Sequence, residues 1–525
     1  MNVPRSIART LFHQVDIASL VFFRIAFGTV MLWEVFRYLR GDRIYRYWID
    51  PSFHFTYPFF GWVHPWPGEG MILHFYLLGV LSVLIIVGLF YRLSMALFFL
   101  GFTYVFLLEQ AQYLNHFYFV SLVSFLLIFV PAHRAASIDA MIRPKLRSAT
   151  TPVWALSLLA GQMGMVYFFG GIAKINRDWL RGEPMRDWLG SRTDFPVIGS
   201  LFTEEWMVYL FSYGGLLLDL LSVPLLLWRR TRAGTFAILV VFHMMNVRLF
   251  SIGIFPWFAI VATTLFFPPD WPRRIWIDVW DSPNRQGTIA WGGAMAGAWA
   301  AAWFSEDLEL APLAIGAVAG TLLVWTVVDS LPGLAPLHQE PMPIRTLHAV
   351  ATTESGAGGG ESRITLLGRG EAVMLALFTL WFAVQIALPL RHYFIPGYVS
   401  WTEEGHNFSW HMKLRDKERK SVTFWATDPS TSETWEIDAR ETLTSRQYRK
   451  MASRPHMIWQ FARHLATTLE AEGRPGVEIR VRARVALNGR RRQLLIDPNV
   501  DLAHEPMRLG HDPWILPLTM PLRRN

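Results

Sequence analysis

The stretch Met165-Val-Tyr-Phe-Phe-Gly-Gly-Ile-Ala-Lys174-Ile-Asn-Arg-Asp-Trp179 sets the terms on which the chain is read. It closes an apolar run at 152–173 with a single lysine, followed by a polar Asn-Arg-Asp-Trp exit. A run of about 20 apolar residues is long enough to cross a bilayer as a helix. A lysine at the end of such a helix has two readings. Its stem can snorkel so that the ammonium reaches the interface. Alternatively the amine is held out of water, where burial disfavours the charged form and leaves a usable base. The stretch by itself leaves both open.

Outward from it, the composition agrees with a membrane protein. Of 525 residues, 52% are hydrophobic and only 17% charged, against about a quarter charged in soluble domains. Mean hydropathy is positive. Apolar runs recur near 20–39, 72–90, 93–108, 117–131, 152–173, 207–228, 233–247, 251–267, 288–303, 311–328 and 371–390. Runs such as 93–108, 288–303 and the pair around Val247 are short, so half-helices or tilted elements are expected there. The first run lacks a cleavage pattern and reads as an uncleaved anchor. The fold class is therefore mainly α: a polytopic transmembrane helical bundle with a smaller α+β soluble C-terminal domain. The expected division is 1–275 for the catalytic helical domain, 276–390 for additional spans and a linker around Gly356–Gly360, and 391–525 for an extracytoplasmic domain.

The net charge of +8 comes from arginines scattered through loops, which suits topology signalling and not nucleic-acid binding. Basic loops at 134–147, 229–232 and 273–274 fall on one face if the N-terminus is cytoplasmic. The 37–46 loop, with Arg37, Arg40, Arg43 and Arg46, then lands outside and violates the rule. Lys174, Asn115-His116 and everything after Leu390 share that outer face.

The C-terminal part reads as mixed α and β. Val422–Ala426 and Thr434–Ile437 flank Asp428-Pro-Ser as a hairpin, and a helical stretch at 443–471 is interrupted by Pro455. Val477–Leu487 alternates, turns at Asn488-Gly489 and returns through Arg492–Asp497. The arginines of that strand read either as a solvated face or as a surface for acidic peptides.

With no cysteine in the chain, disulfides, thiolate metal sites and cysteine nucleophiles are excluded. Proton transfer must use lysine, histidine or carboxylate. Ionisable groups inside the apolar runs are Arg24, Glu34, His116, Lys174, Asp219, His243 and Arg248, and such groups default to functional candidates. Arg24, Glu34 and Asp219 read first as a structural ion-pair network. His116 opens a helix, with Asn115 as a cap in the plainer reading, and His243 reads as a hydrogen-bonded packing residue. No HExxH motif is present, and His406 and His411 are neither at helical spacing nor joined by an obvious third ligand, so no metal is expected.

Taken in order, Phe22-Phe-Arg-Ile-Ala-Phe-Gly28, Leu114-Asn-His116, Gly161-Gln162 through Lys174 to Asp178-Trp179, Gly214-Gly-Leu-Leu-Leu-Asp219, His243 through Phe250-Ser-Ile-Gly253, Gly397-Tyr-Val-Ser-Trp-Thr402, Phe408-Ser-Trp410 and Asp497-Pro-Asn-Val-Asp501 resemble the vitamin K-dependent γ-glutamyl carboxylase family, including its bacterial HTTM-type relatives. Each block is weak alone, and their colinear order carries the resemblance. It implies that Lys174 deprotonates reduced vitamin K (the hydroquinone), that oxygen adds, and that the strong alkoxide base so formed takes the γ-proton of a peptide glutamate before CO2 is captured. It further implies catalytic roles for Lys174, His116 and His243, and cofactor contacts from Asn115, Tyr167 and His392. A glutamyl peptide would be handled by Tyr398, Trp401 and Trp410. The implied partners are a glutamate-containing peptide or protein and membrane lipid, in the inner or plasma membrane. Ala173 stands where the animal enzymes have the first of two lysines, and their long C-terminal extension has no counterpart here. A non-catalytic quinone- or lipid-binding protein, or a transporter, is the alternative on the same scaffold.

Overall fold

The structure, a computed structural model, describes residues 10–280, 310–330 and 368–522, with isolated positions between 293 and 301. Among the described residues, ten helices carry the membrane part: α1 Ala18–Arg40, α2 Gly70–Val87, α3 Tyr91–Leu107, α4 Asn115–Phe129, α5 Val153–Lys174, α6 Glu205–Leu227, α7 Arg229–Phe250, α8 Phe255–Thr263, α9 Leu310–Ser330 and α10 Arg369–Leu390. Six stretches among the described residues are long and apolar enough to cross a membrane: α1, α2, α5, α6, α7 and Arg369–Phe394. The chain is an integral membrane protein. Four other expected spans are shorter apolar helices, at Tyr91–Leu107, Asn115–Phe129, Phe255–Phe266 and Pro312–Leu323. The run at 288–303 and the linker at 356–360 fall largely or wholly outside the described residues.

Local chemistry sets these ends. α4 stops at extended Val130, before Pro131, because a residue preceding proline is driven out of the helical region. The break expected near Val247 falls later. α7 continues to Phe250, and the chain turns through Ser251 (φ 47°) and Gly253 (φ 71°) before α8 begins at Phe255, with Pro256 in its first turn.

Neighbouring helices touch where side chains are small. On α5, a Cβ added to Gly171 would lie 2.7 Å from the Leu220 side chain of α6, and one on Gly170 would lie 3.1 Å from Asp219 Oδ2. The glycine pair therefore allows the close α5–α6 approach that brings Asp219 to Lys174.

Of the structural ion-pair network expected of Arg24, Glu34 and Asp219, the two carboxylates form separate ion pairs and Arg24 takes backbone partners. Arg24 donates to the carbonyls of Ala132 at 2.8 Å, Ala135 at 3.2 Å, Ile86 at 3.2 Å and Ala136 at 2.5 Å. Glu34 instead binds Arg37 at 2.7 Å, one helical turn away, and Asp219 binds Lys174. Arg24 lies near the start of α1, and the loop after α4 supplies a ring of carbonyls there before any carboxylate can reach it.

Two bonds tie the ends of the bundle on Arg24's side: Ile17 N to Ala149 O, and Ser19 N to Pro269 O. A short ribbon there pairs β1 Gln14–Asp16 with β2 Thr150–Pro152. The C-terminal domain covers the opposite end. Its antiparallel sheet has the order β4-β3-β5-β6, with β3 Lys420–Thr427, β4 Thr434–Ile437, β5 Glu478–Val485 and β6 Gln493–Leu494. Both expected hairpins are present. The second is paired only at Arg484↔Leu494 and Val485↔Gln493, because Arg490 leaves the ladder to bind Asp178. Along β5, Ile479, Val481, Ala483 and Val485 are fully buried, and burying a side chain of valine or isoleucine size contributes about 1.5–3 kcal/mol. Arg482 and Arg484 alternate with them on the exposed face, which is the solvated-face reading. Helices α11 Ser445–Met451 and α12 Pro455–Ala471 lie between β4 and β5, separated at Pro455 as expected. Thr444 caps α11 in a reciprocal box with Gln447.

Candidate active site

A cavity of about 600 Å³ opens where the ends of α1, α4, α5, α6 and α7 meet the C-terminal domain. Lys174, Asp219, His116, Asn115, Tyr167 and His243 all line it, so residues spread over almost 130 positions converge on one space.

Lys174 is buried. Its Nζ lies 2.5 Å from Asp219 Oδ2, donates to Gly170 O at 3.1 Å, and sits 5.5 Å from the Trp179 ring centroid. The snorkelling reading is thus not what the geometry gives, because the amine turns back into the bundle. The polar exit after it is held by the C-terminal domain. Asp178 receives Arg490 at 2.6 and 2.7 Å and Asn488 Nδ2 at 2.9 Å, while Asn176 Oδ1 accepts from Tyr398 at 3.1 Å.

Hydrogen-bond directions around Tyr167 follow from its neighbours. Thr263 donates to Ala259 O at 2.7 Å, so its oxygen can only accept from Tyr167, 3.0 Å away. Tyr167 then accepts from His243 Nε2 at 3.1 Å. The imidazole carries its proton on Nε2, and Nδ1 is left as a buried acceptor with no partner among the described residues. His243 is therefore hydrogen-bonded on one side, as expected of a packing residue, and vacant on the other.

His116 is buried at the cavity wall near Phe255. A Cβ on Gly253, whose φ is 71°, would lie 4.0 Å from His116 Nε2 and 3.6 Å from Arg37 Nη1. Glycine suits this left-handed turn pressed against both side chains. Asn115 is not a cap: its Oδ1 accepts from Tyr113 at 2.9 Å and its Nδ2 donates to His411 O at 3.1 Å. Its amide ties α4 to the C-terminal domain.

Four other expected residues stand outside the cavity lining. His392 donates through Nδ1 to Pro389 O at 2.7 Å and packs 4.7 Å from His411. Trp401 is fully buried and donates to Leu516 O at 2.7 Å. Trp410 is wedged against Tyr118 at 5.1 Å, and Tyr398 makes the bond to Asn176 described above. Both tryptophans fill the two hydrophobic cores, a role that an aromatic block in sequence does not distinguish from substrate contact.

The sequence did not single out Tyr47, Lys413, Arg446 and Lys450, which also line the cavity. The only signal was the arginine-rich 37–46 loop, from which Arg37 and Arg43 reach the wall. The seam is strongly cationic. Burial pushes Lys417 down to about 8 even with Glu403 2.7 Å away. Lys450 is pushed down to about 7, first by the Arg454 charge and then by burial. The rings of His392, His411 and His406 gather behind this wall, and burial pushes His411 down to about 3. Among the described residues, no group of histidines and carboxylates is disposed to hold a metal ion.

Two family models match the chain in succession: the HTTM domain over residues 12–271, and the lumenal domain of vitamin K-dependent gamma-carboxylase over residues 370–521. No solved structure matches. The cavity draws its wall from both matched regions, with Lys174 and His243 in the first and Lys413, Arg446 and Lys450 in the second. Together the two matches cover most of the chain, which belongs to the vitamin K-dependent gamma-carboxylase family.

Proposed function

We propose that the chain is a carboxylase that couples oxygenation of reduced vitamin K, giving the epoxide, to γ-carboxylation of a peptide glutamate. Lys174 is its base. The observation that carries this reading is the Lys174–Asp219 pair, buried at the wall of a cavity whose other faces include Val166, Phe211, Phe242 and Phe255. Such walls suit an apolar quinol ring. The orphaned Nδ1 of His243 suits a ring hydroxyl, which needs an acceptor.

A buried amine–carboxylate pair can hold its proton on either partner. With the proton on Asp219 Oδ2, the Lys174 amine is neutral and accepts a proton from a phenolic hydroxyl. His116 and Asn115 sit on the same wall, where they position an oxygen substituent. His243, held by Tyr167 and Thr263, keeps one tautomer throughout. Reduced vitamin K, when bound, supplies through its reaction with oxygen the far stronger base that removal of a glutamyl γ-proton requires. The apolar walls exclude water, which would otherwise reprotonate the carbanion before CO2 reaches it.

The test is purified full-length protein supplied with reduced vitamin K, oxygen, labelled CO2 and a short glutamyl peptide. Epoxide formation and label incorporation in a fixed ratio are expected. Absence of epoxide overturns the reading, and epoxide without label leaves only its oxygenation half.

The peptide must reach Lys174 from the side of the C-terminal domain, which we assign to the extracytoplasmic face. Ser191 and Ser445 are exposed at that end. Single cysteines replacing them should both react with an impermeant thiol reagent in intact cells, and one replacing Ser148 only after permeabilisation. The reverse pattern inverts the orientation.

A further inference from the structure

The cavity has a second chemical pole. Its wall holds Arg37, Arg43, Lys413, Arg446 and Lys450 but, among the described residues, two carboxylates, Glu34 and Asp219, which bind Arg37 and Lys174. Arg43 and Arg446 are held by aromatic faces: Arg43 lies 5.8 Å from the Tyr38 centroid, and Arg446 lies 5.1 Å from that of Tyr47. Arg446 Nε is buried with no hydrogen-bond partner among the described residues. Lys450 lies one helical turn from Arg446 on α11, on the same face. Cations gathered from chain segments about 400 positions apart, outnumbering the carboxylates of the wall among the described residues, form a site for an anion.

We propose that Arg43, Arg446 and Lys450 form the seat of the substrate's side-chain carboxylate, holding a glutamyl side chain across the cavity from Lys174. This rests on the carboxylase reading and deepens it. Removing a proton from the carbon next to a carboxylate places a second negative charge beside the first. Capturing CO2 then leaves two carboxylates on one carbon. Fixed cations stabilise both charges in a site with little water, where electrostatic interactions are strong. Arg43 and Arg446 supply forked donors suited to a carboxylate, and stacking on tyrosine keeps those forks in place. The mutual repulsion that pushes Lys450 down to about 7 is relieved when an anion enters.

The experiment measures equilibrium binding of a fluorescent glutamyl peptide, and of its glutaminyl counterpart, to full-length protein in detergent. Wild type should prefer the glutamyl peptide roughly tenfold or more, since hydrogen bonds to a charged group are worth about 1.5–3 kcal/mol. Arg446→Gln combined with Lys450→Gln should reduce the preference to less than about threefold, and Lys450→Arg should retain it. Arg43→Gln, on a different element, should reduce it independently and covers the case in which the α11 variants fail to fold. Equal binding of the two peptides by wild type overturns the proposal, as does an undiminished preference in folded charge-removal variants. Preference without vitamin K epoxide formation would instead sink the carboxylase reading and leave the seat standing.

Discussion

Arg24 and Lys174 are both single cations buried in apolar helices, at opposite ends of the same bundle. Arg24 is enclosed by four carbonyls and fully buried. Lys174 has one carboxylate and one carbonyl, and a cavity on its free side. In sequence the two look alike. What separates them is the partner set: a guanidinium whose two terminal nitrogens are taken up by four backbone carbonyls locks a loop, whereas an amine paired with one carboxylate keeps a side open to a cavity. On the function proposed above, one is architecture and the other is equipped for chemistry.

The largest effect that would sharpen this contrast is at Lys174. Lys174→Ala should lower quinol oxygenation by about 10³-fold or more, as expected for loss of a positioned base. It also leaves Asp219 buried without its cation, so melting temperature should fall and partly recover in Lys174→Ala combined with Asp219→Asn. Turnover near wild type in the single variant would erase the distinction between the two cations.

Arg24→Met should do the reverse. Leaving several buried carbonyls unpaired should remove about 3 kcal/mol or more of stability, read as a lower melting temperature, while any protein that does fold retains its affinity for quinol. His116→Ala should slow epoxide formation by about 10²–10⁴-fold at matched protein levels. A change of only a few-fold would make it a wall residue. Tyr167→Phe removes the acceptor that fixes the tautomer of His243 and should cost about tenfold in rate, with little change in melting temperature.

The smallest effect concerns pH. His406 and His411 lie in the C-terminal segment, and burial holds both well below the usual imidazole range, His411 at about 3. An unfolded histidine takes up a proton near pH 6.5. Unfolding therefore binds protons below about 6.5, and the stability present above that pH declines as pH falls from there towards about 3. At about pH 5.5 each ring should contribute a loss on the order of 1 kcal/mol. His411→Asn, an uncharged polar replacement, should flatten the dependence of melting temperature on pH between 7 and 5.5. An unchanged slope would show that the ring is not held neutral.

Much of the bundle is legible because a bilayer demands length and apolarity, and both are written locally. Lys174 is legible for the same reason, since a charge in an apolar run stands out. Its partner Asp219 stands out too, but sequence cannot say which cation it meets. Two glycines on α5 decide that by letting α6 approach. Asn115 reads as a cap because capping is the local use of asparagine. The bond it makes instead runs to His411, nearly 300 residues away. The joining of Arg43 to Arg446 and Lys450 is hidden for the same reason, because no local pattern marks a meeting of loop and domain. Trp401 and Trp410 are conspicuous in sequence yet lie in the two hydrophobic cores, outside the cavity lining, a placement no local pattern marks.

The arginines at 37–46 bear on how the protein is made. They stand at the end of the bundle opposite Arg229, Arg230 and Arg232, which open α7. Whichever end faces the cytoplasm, one basic set must be carried across the bilayer, although positive loops ordinarily stay behind. Each positive charge exported against the membrane potential requires about 2.3 kcal/mol per 100 mV. With the C-terminal domain on the extracytoplasmic face, as proposed, the exported set is Arg37, Arg40, Arg43 and Arg46 beside the cavity, and insertion of the chain should be sensitive to the membrane potential.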